Sequence, residues 1–91
     1  MSKSAFTETN DLFRALLKEL RLKKGLTQAD VAIKLGVPQS YVSKVEIGER
    51  RMDFAETAAF CEAIGTSISG FATAFEKRAT KSRGPAGIIG N

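Results

Sequence analysis

At 91 residues and 43% hydrophobic content, the chain has room for one domain around one modest core and is too apolar for wholesale disorder. It has no histidine and a single cysteine, Cys61, which excludes an internal disulfide and a zinc finger; MSKSAFTETN lacks the apolar run of a signal peptide, and no run approaches membrane-spanning length, so the expected compartment is the cytoplasm. A net charge of +4 favours a polyanionic partner, with the basic excess at both ends and in the middle of the chain and an acidic stretch over 53–79.

The first periodic segment runs from about Thr9 to Lys24. Phe13, Leu16, Leu17 and Leu20 recur at i, i+3, i+4 and i+7, the apolar stripe of an amphipathic helix. Glu8 and Asp11 lie near the positive end of its dipole, Lys23 and Lys24 near the negative end, and Gly25 ends it. Residues 1–8 are expected to form a flexible arm.

The stretch QADVAIKLGVPQSYVSKVEI, from Gln28 to Ile47, is the most informative. Val31, Ala32, Leu35, Val37, Val42 and Val45 cannot share one face of a single helix running through Gly36 and Pro38, but they fit two short helices. The first spans 28–35, with Thr27 as a hydroxyl N-cap, Asp30 in its first turn, and Val31, Ala32 and Leu35 inward. Gly36 supplies a left-handed turn, and Pro38, with fixed φ and no N–H, belongs at the start of the second helix, 38–46. Ala32 is small where the two helices cross. The second helix buries Val42 and Val45 and turns out Gln39, Ser40, Ser43 and Lys44, all donors or acceptors. Such a pair is shaped to place a helix in the major groove of DNA; the plainer alternative is an αα-hairpin in a small helical bundle.

IGERRM, 47–52, reads as a loop with Gly48 at positive φ. A fourth helix follows, from Asp53 as N-cap to Ile64, with Phe54, Ala58, Cys61 and Ile64 or Phe60 inward, and Gly65 ends it. A fifth runs from Ser67 or Ser69 to Arg78 with Ile68, Phe71, Ala72 and Phe75 on one side. Gly, Pro and basic residues without a period make 79–91 a flexible tail, in which Ile88 and Ile89 are the exception. The fold class is therefore all-α, with five helices in one domain over 9–78.

The run ELRLKKGLTQADVAIKLGVPQSYVSKVEIGERRMDFAETAAFCEAIGTS resembles the lambda-repressor-like helix-turn-helix domain of the XRE/Cro type, found in phage repressors, Cro proteins and restriction-modification controller proteins. The resemblance covers about residues 12–76 and is most specific at GLTQADVA, LGVPQSYVSKVE, GERR and AIG. It implies a five-helix lambda-repressor-like bundle whose third helix enters the major groove, with Gln39, Ser40, Ser43 and Lys44 at base edges. It implies phosphate contacts for Gln28 and Thr27 at the start of the second helix, for the Tyr41 hydroxyl, and for Arg50 and Arg51 in the following loop. It also implies a partly buried ion pair between Arg21 and Glu46. Two positions depart from the pattern: Pro38 stands where a Ser or Thr cap is common, and Ile47 where a polar residue is common.

The implied function is a sequence-specific DNA-binding transcriptional regulator, a dimeric repressor or autoregulator on an inverted repeat. The dimer surface is expected around the fifth helix, at Phe71 and Phe75. The alternative is an antitoxin-type or other protein-interaction module with a protein partner on the C-terminal tail, which the polar outward face of the third helix disfavours. No enzymatic centre, cofactor or metal is expected from a chain with no His and one core Cys.

Overall fold

A computed structural model describes residues 5–83, with side chains from Thr7 to Lys81, as five helices and no strand: α1 (Ala5–Lys23), α2 (Gln28–Leu35), α3 (Gln39–Ile47), α4 (Phe54–Ala63) and α5 (Ile68–Arg83). The caps explain the boundaries. Asp30 N donates to Thr27 Oγ1 at 3.0 Å and Thr27 N donates back to Asp30 Oδ2 at 2.9 Å, a capping box that starts α2. Asp53 and Glu56 repeat the arrangement at α4. Gly36, at φ 70°, closes α2 in the left-handed conformation, its N–H returning to Ala32 and Ile33 carbonyls. Pro38 is the N-cap of α3 and gives it no side-chain cap, so that helix begins one residue later than its sequence suggests.

Leu16 and Leu17 of α1, Val31 and Ala32 of α2, Val42 and Val45 of α3, Phe60 and Cys61 of α4, and Phe71 of α5 form one buried core. Ala32 sits in it beside α3, as its small size requires. Truncating Phe60, which is fully buried, to Ala would cost about 3–5 kcal/mol. The α2–α3 pair thus rests on a floor made by α1 and α4, while α5 packs on α1 and α4 from the other side.

Both outer helices are longer than expected. Nothing from Ala5 to Glu8 breaks a helix, and α1 takes in these residues from the expected arm. α5 takes in 79–83 from the expected tail, because Ala79 is buried and no Gly or Pro follows until Gly84 and Pro85. Arg78 grips Glu19 of α1 with two bonds, at 2.9 and 2.7 Å, and holds that carboxyl below the usual range. Ile88 and Ile89 lie outside the described residues.

Phe54 corrects the sequence reading: it is 75% exposed rather than inward. It lies instead on an apolar groove of about 530 Å³, lined by Phe13, Met52, Phe54, Ile68, Phe71 and Phe75 among others. Ala72, expected on the same side of the fifth helix as Phe71 and Phe75, is exposed on this groove. Of the two residues expected at a dimer surface, Phe71 lies in the core at 4% exposure and Phe75 is the more open. The Phe71 ring meets Phe13 edge-on at 5.6 Å and stacks on Phe75 at 6.4 Å, and both of those rings stay half-buried on the groove.

Candidate nucleic-acid interface

The site is built outward from a buried charge pair. Arg21 Nε donates to Glu46 Oε2 at 2.6 Å and Nη2 to Oε1 at 2.9 Å, with the side chains only 7% and 2% exposed. Arg21 Nη1 also donates to the Leu26 carbonyl at 2.8 Å. Such a pair persists in a core only when its remaining lone pairs and protons are satisfied. Glu46 Oε1 completes the set by accepting from Gln28 Nε2 at 3.0 Å.

This last bond fixes the orientation of Gln28. An ionised carboxylate only accepts, so the Gln28 amide nitrogen must face Glu46 and its Oε1 must face away. There it meets Gln39 Nε2 at 3.5 Å, the long limit for a hydrogen bond. The first residues of α2 and α3 are thereby joined to each other and, through Glu46, to α1. Ser40 and Lys44 are exposed beside Gln39, and Ser43 is half-buried. Thr27 keeps its hydroxyl proton, because capping uses the oxygen as acceptor.

Beyond α3 the loop folds back on it. Tyr41 is half-buried, and the Arg50 guanidinium lies 4.6 Å over its ring. Arg50 Nη2 donates to Glu56 Oε2 at 2.9 Å. Tyr41 raises the Arg50 pKa most, desolvation opposes this, and Glu56 raises it further. Arg51 is exposed and lines both the apolar groove and a smaller cleft beside Arg14 and Arg50. Ile47, which stands where a polar residue is common in the family, is 56% exposed.

Two residues of the site escaped the sequence reading. Arg14 donates to the Glu46 carbonyl at 3.0 Å and to Asp11 at 2.7 Å, so its guanidinium caps the C-terminal turn of α3. It fills the space over Gly48, where φ is 87° and a Cβ would lie 2.9 Å from Arg14 Nε. The available signal was Asp11, three residues ahead of Arg14 on the same face. Glu56 is the other, visible in sequence only as a partner of the α4 cap.

Among the described residues no cluster of His, Cys, Asp or Glu could hold a metal ion, and no single helix is long and apolar enough to cross a membrane. The buried Cys61 thiol is pushed up to about 11 by desolvation, which makes it a poor nucleophile.

Residues 12–72 match the family model of a helix-turn-helix domain. An XRE-family-like protein from Pseudomonas syringae pv. tomato str. DC3000 is 38% identical, with a TM-score of 0.74 over 77% of this chain and 85% of that one. The restriction-modification controller protein C.Esp1396I shares the fold at 24% identity and TM-score 0.69, over 74% of this chain and 88% of its own. The same values apply to the C.Esp1396I tetramer in complex with its natural 35 base-pair operator. No curated protein matched the sequence.

Proposed function

Because the chain belongs to the XRE/Cro-like family of helix-turn-helix domains, we propose that it is a cytoplasmic, sequence-specific transcriptional regulator that binds an inverted-repeat operator as a homodimer. The observation that carries this reading is the ordered polar edge where Gln28 and Gln39 meet. With one N–H turned to Gln28, Gln39 keeps its amide oxygen and second N–H, the acceptor and donor that match adenine N6 and N7. Lys44 donates to guanine O6 or N7, and Ser40 and Ser43 serve as donor or acceptor. Thr27, Gln28 and the start of α2 bind one phosphate, and Tyr41, Arg50 and Arg51 bind others, which sets register without reading sequence.

One recognition helix covers too few base pairs for useful discrimination; two, about 34 Å apart on a two-fold axis, multiply it. The operator complex of the C.Esp1396I tetramer supports an oligomer on DNA. Phe54 and Phe75, on the groove away from α3, are the proposed dimer surface.

Selection from random duplex DNA on the purified protein, with affinity followed against salt, tests the reading. The expected result is a two-fold symmetric site and a steep loss of affinity between low and moderate salt. If no sequence is enriched even at low salt, the reading fails.

A further inference from the structure

We propose that Glu56 is a built-in competitor for the phosphate bound by Arg50, and that it lowers the sequence-independent part of DNA affinity without touching DNA. The inference rests on the reading of Arg50 as a phosphate contact. Arg50 is held from two sides, by the Tyr41 ring at 4.6 Å and by Glu56 Oε2 at 2.9 Å. Glu56 is held independently of Arg50. Its Oε1 accepts from Asp53 N at 2.9 Å, and its own N–H donates to Asp53 Oδ1 at 2.7 Å. The carboxylate is therefore fixed by the cap of α4 and cannot follow the guanidinium outward.

A phosphate approaching Arg50 meets that fixed negative charge. It must either draw the guanidinium off Glu56, leaving the carboxylate with its cap partners alone, or share the guanidinium beside a like charge. Both routes weaken binding, and by the same amount for every base sequence, because no base takes part. A counter-charge placed behind a phosphate-binding arginine thus trims non-specific attraction and leaves the base-reading edge of α3 intact. Tyr41 completes the device by keeping Arg50 directed along α3 when the carboxylate lets go.

The test uses Glu56→Gln, which removes the charge while the amide oxygen still accepts the Asp53 N–H. Fluorescence anisotropy across a potassium chloride series is read on two labelled duplexes, the selected operator and a scrambled duplex of equal length. Glu56→Gln should bind both more tightly at low salt, by about two- to five-fold, the scale of an exposed ion pair. Its log affinity should fall more steeply with log salt, by up to about 0.9, the slope of one phosphate neutralised with no carboxylate competing for the arginine. The gain should vanish when Arg50→Gln is compared with the Arg50→Gln, Glu56→Gln double variant. Glu56→Ala, which also gives up the cap, should show the same gain at lower thermal stability, so the result does not hinge on one variant. Equal or weaker binding by the Glu56 variants, or a gain that survives loss of Arg50, overturns the proposal. Failure of the unaltered protein to bind either duplex instead defeats the DNA-binding reading beneath it.

Discussion

The two ends of this molecule expose opposite chemistry and hold it differently. At the α2–α3 end, polar side chains are ordered one by another, from Arg21 through Glu46 and Gln28 to Gln39. At the α1–α4–α5 end, an apolar groove stands open with the exposed Phe54 at its rim. A partner that must be read atom by atom needs positioned donors and acceptors, whereas a partner that must only be held needs area. The contrast supports the proposal that discrimination lies at the first end and self-association at the second.

The sharpest way to break the polar end is to orphan one member of its buried pair. Arg21→Met or Glu46→Ala alone should destabilise the fold by about 3–5 kcal/mol, measured by urea denaturation, since either leaves an uncompensated charge. Replacing both, as Arg21→Met with Glu46→Leu, should recover most of that stability and still lose base discrimination, because Gln28 then has no anchor. A double variant with full discrimination would disconnect the ion pair from the readout.

Breaking the apolar end should leave the fold alone. Phe54→Ser at a 75% exposed position should change stability by less than about 0.5 kcal/mol while weakening self-association at least ten-fold in sedimentation equilibrium, about 1.4 kcal/mol. Unchanged association would remove the groove from the dimer surface. An effect of similar size is expected at the join between the two ends: Gly48→Ala must hold φ near 87° and displace Arg14, for a loss of about 1–2 kcal/mol in thermal unfolding. Gly48→Ala in an Arg14→Ala background should lose less, as the steric part is gone.

The smallest effect concerns pH. Hydrogen bonds from the Thr27 backbone and then its side chain hold the Asp30 carboxyl below its ordinary 3.8. A depressed folded-state value means that this contribution is complete above the unfolded pKa and is lost as pH falls through the folded one. Asp30→Asn should flatten that part of the stability profile below about pH 4 and slightly lower stability at neutral pH, where the contribution is complete.

The α2–α3 unit was legible because its signals are local. Gly36 and Pro38 punctuate it, Thr27 and Asp30 cap it, and the apolar residues fix its phase. The Arg21–Glu46 pair came only through the family resemblance, since nothing in periodicity joins residues 25 apart. What stayed hidden depends on which surfaces meet. An apolar pattern marks a side of α4 but does not say whether another helix covers it, so Phe54 read as core. Arg14 caps a carbonyl 32 residues away, and Glu56 meets Arg50 across a loop whose path its sequence does not fix. Ala79 extended α5 for the same reason: burial, not propensity, decided it.

The claim that the polar end reads sequence is tested most directly by Gln39→Ala on the selected operator and on its single base-pair variants. The predicted result is loss of about 1–3 kcal/mol of discrimination at one adenine position per half-site, with preferences elsewhere retained. An equal loss of affinity on every duplex, or an unaltered preference at every position, would contradict it.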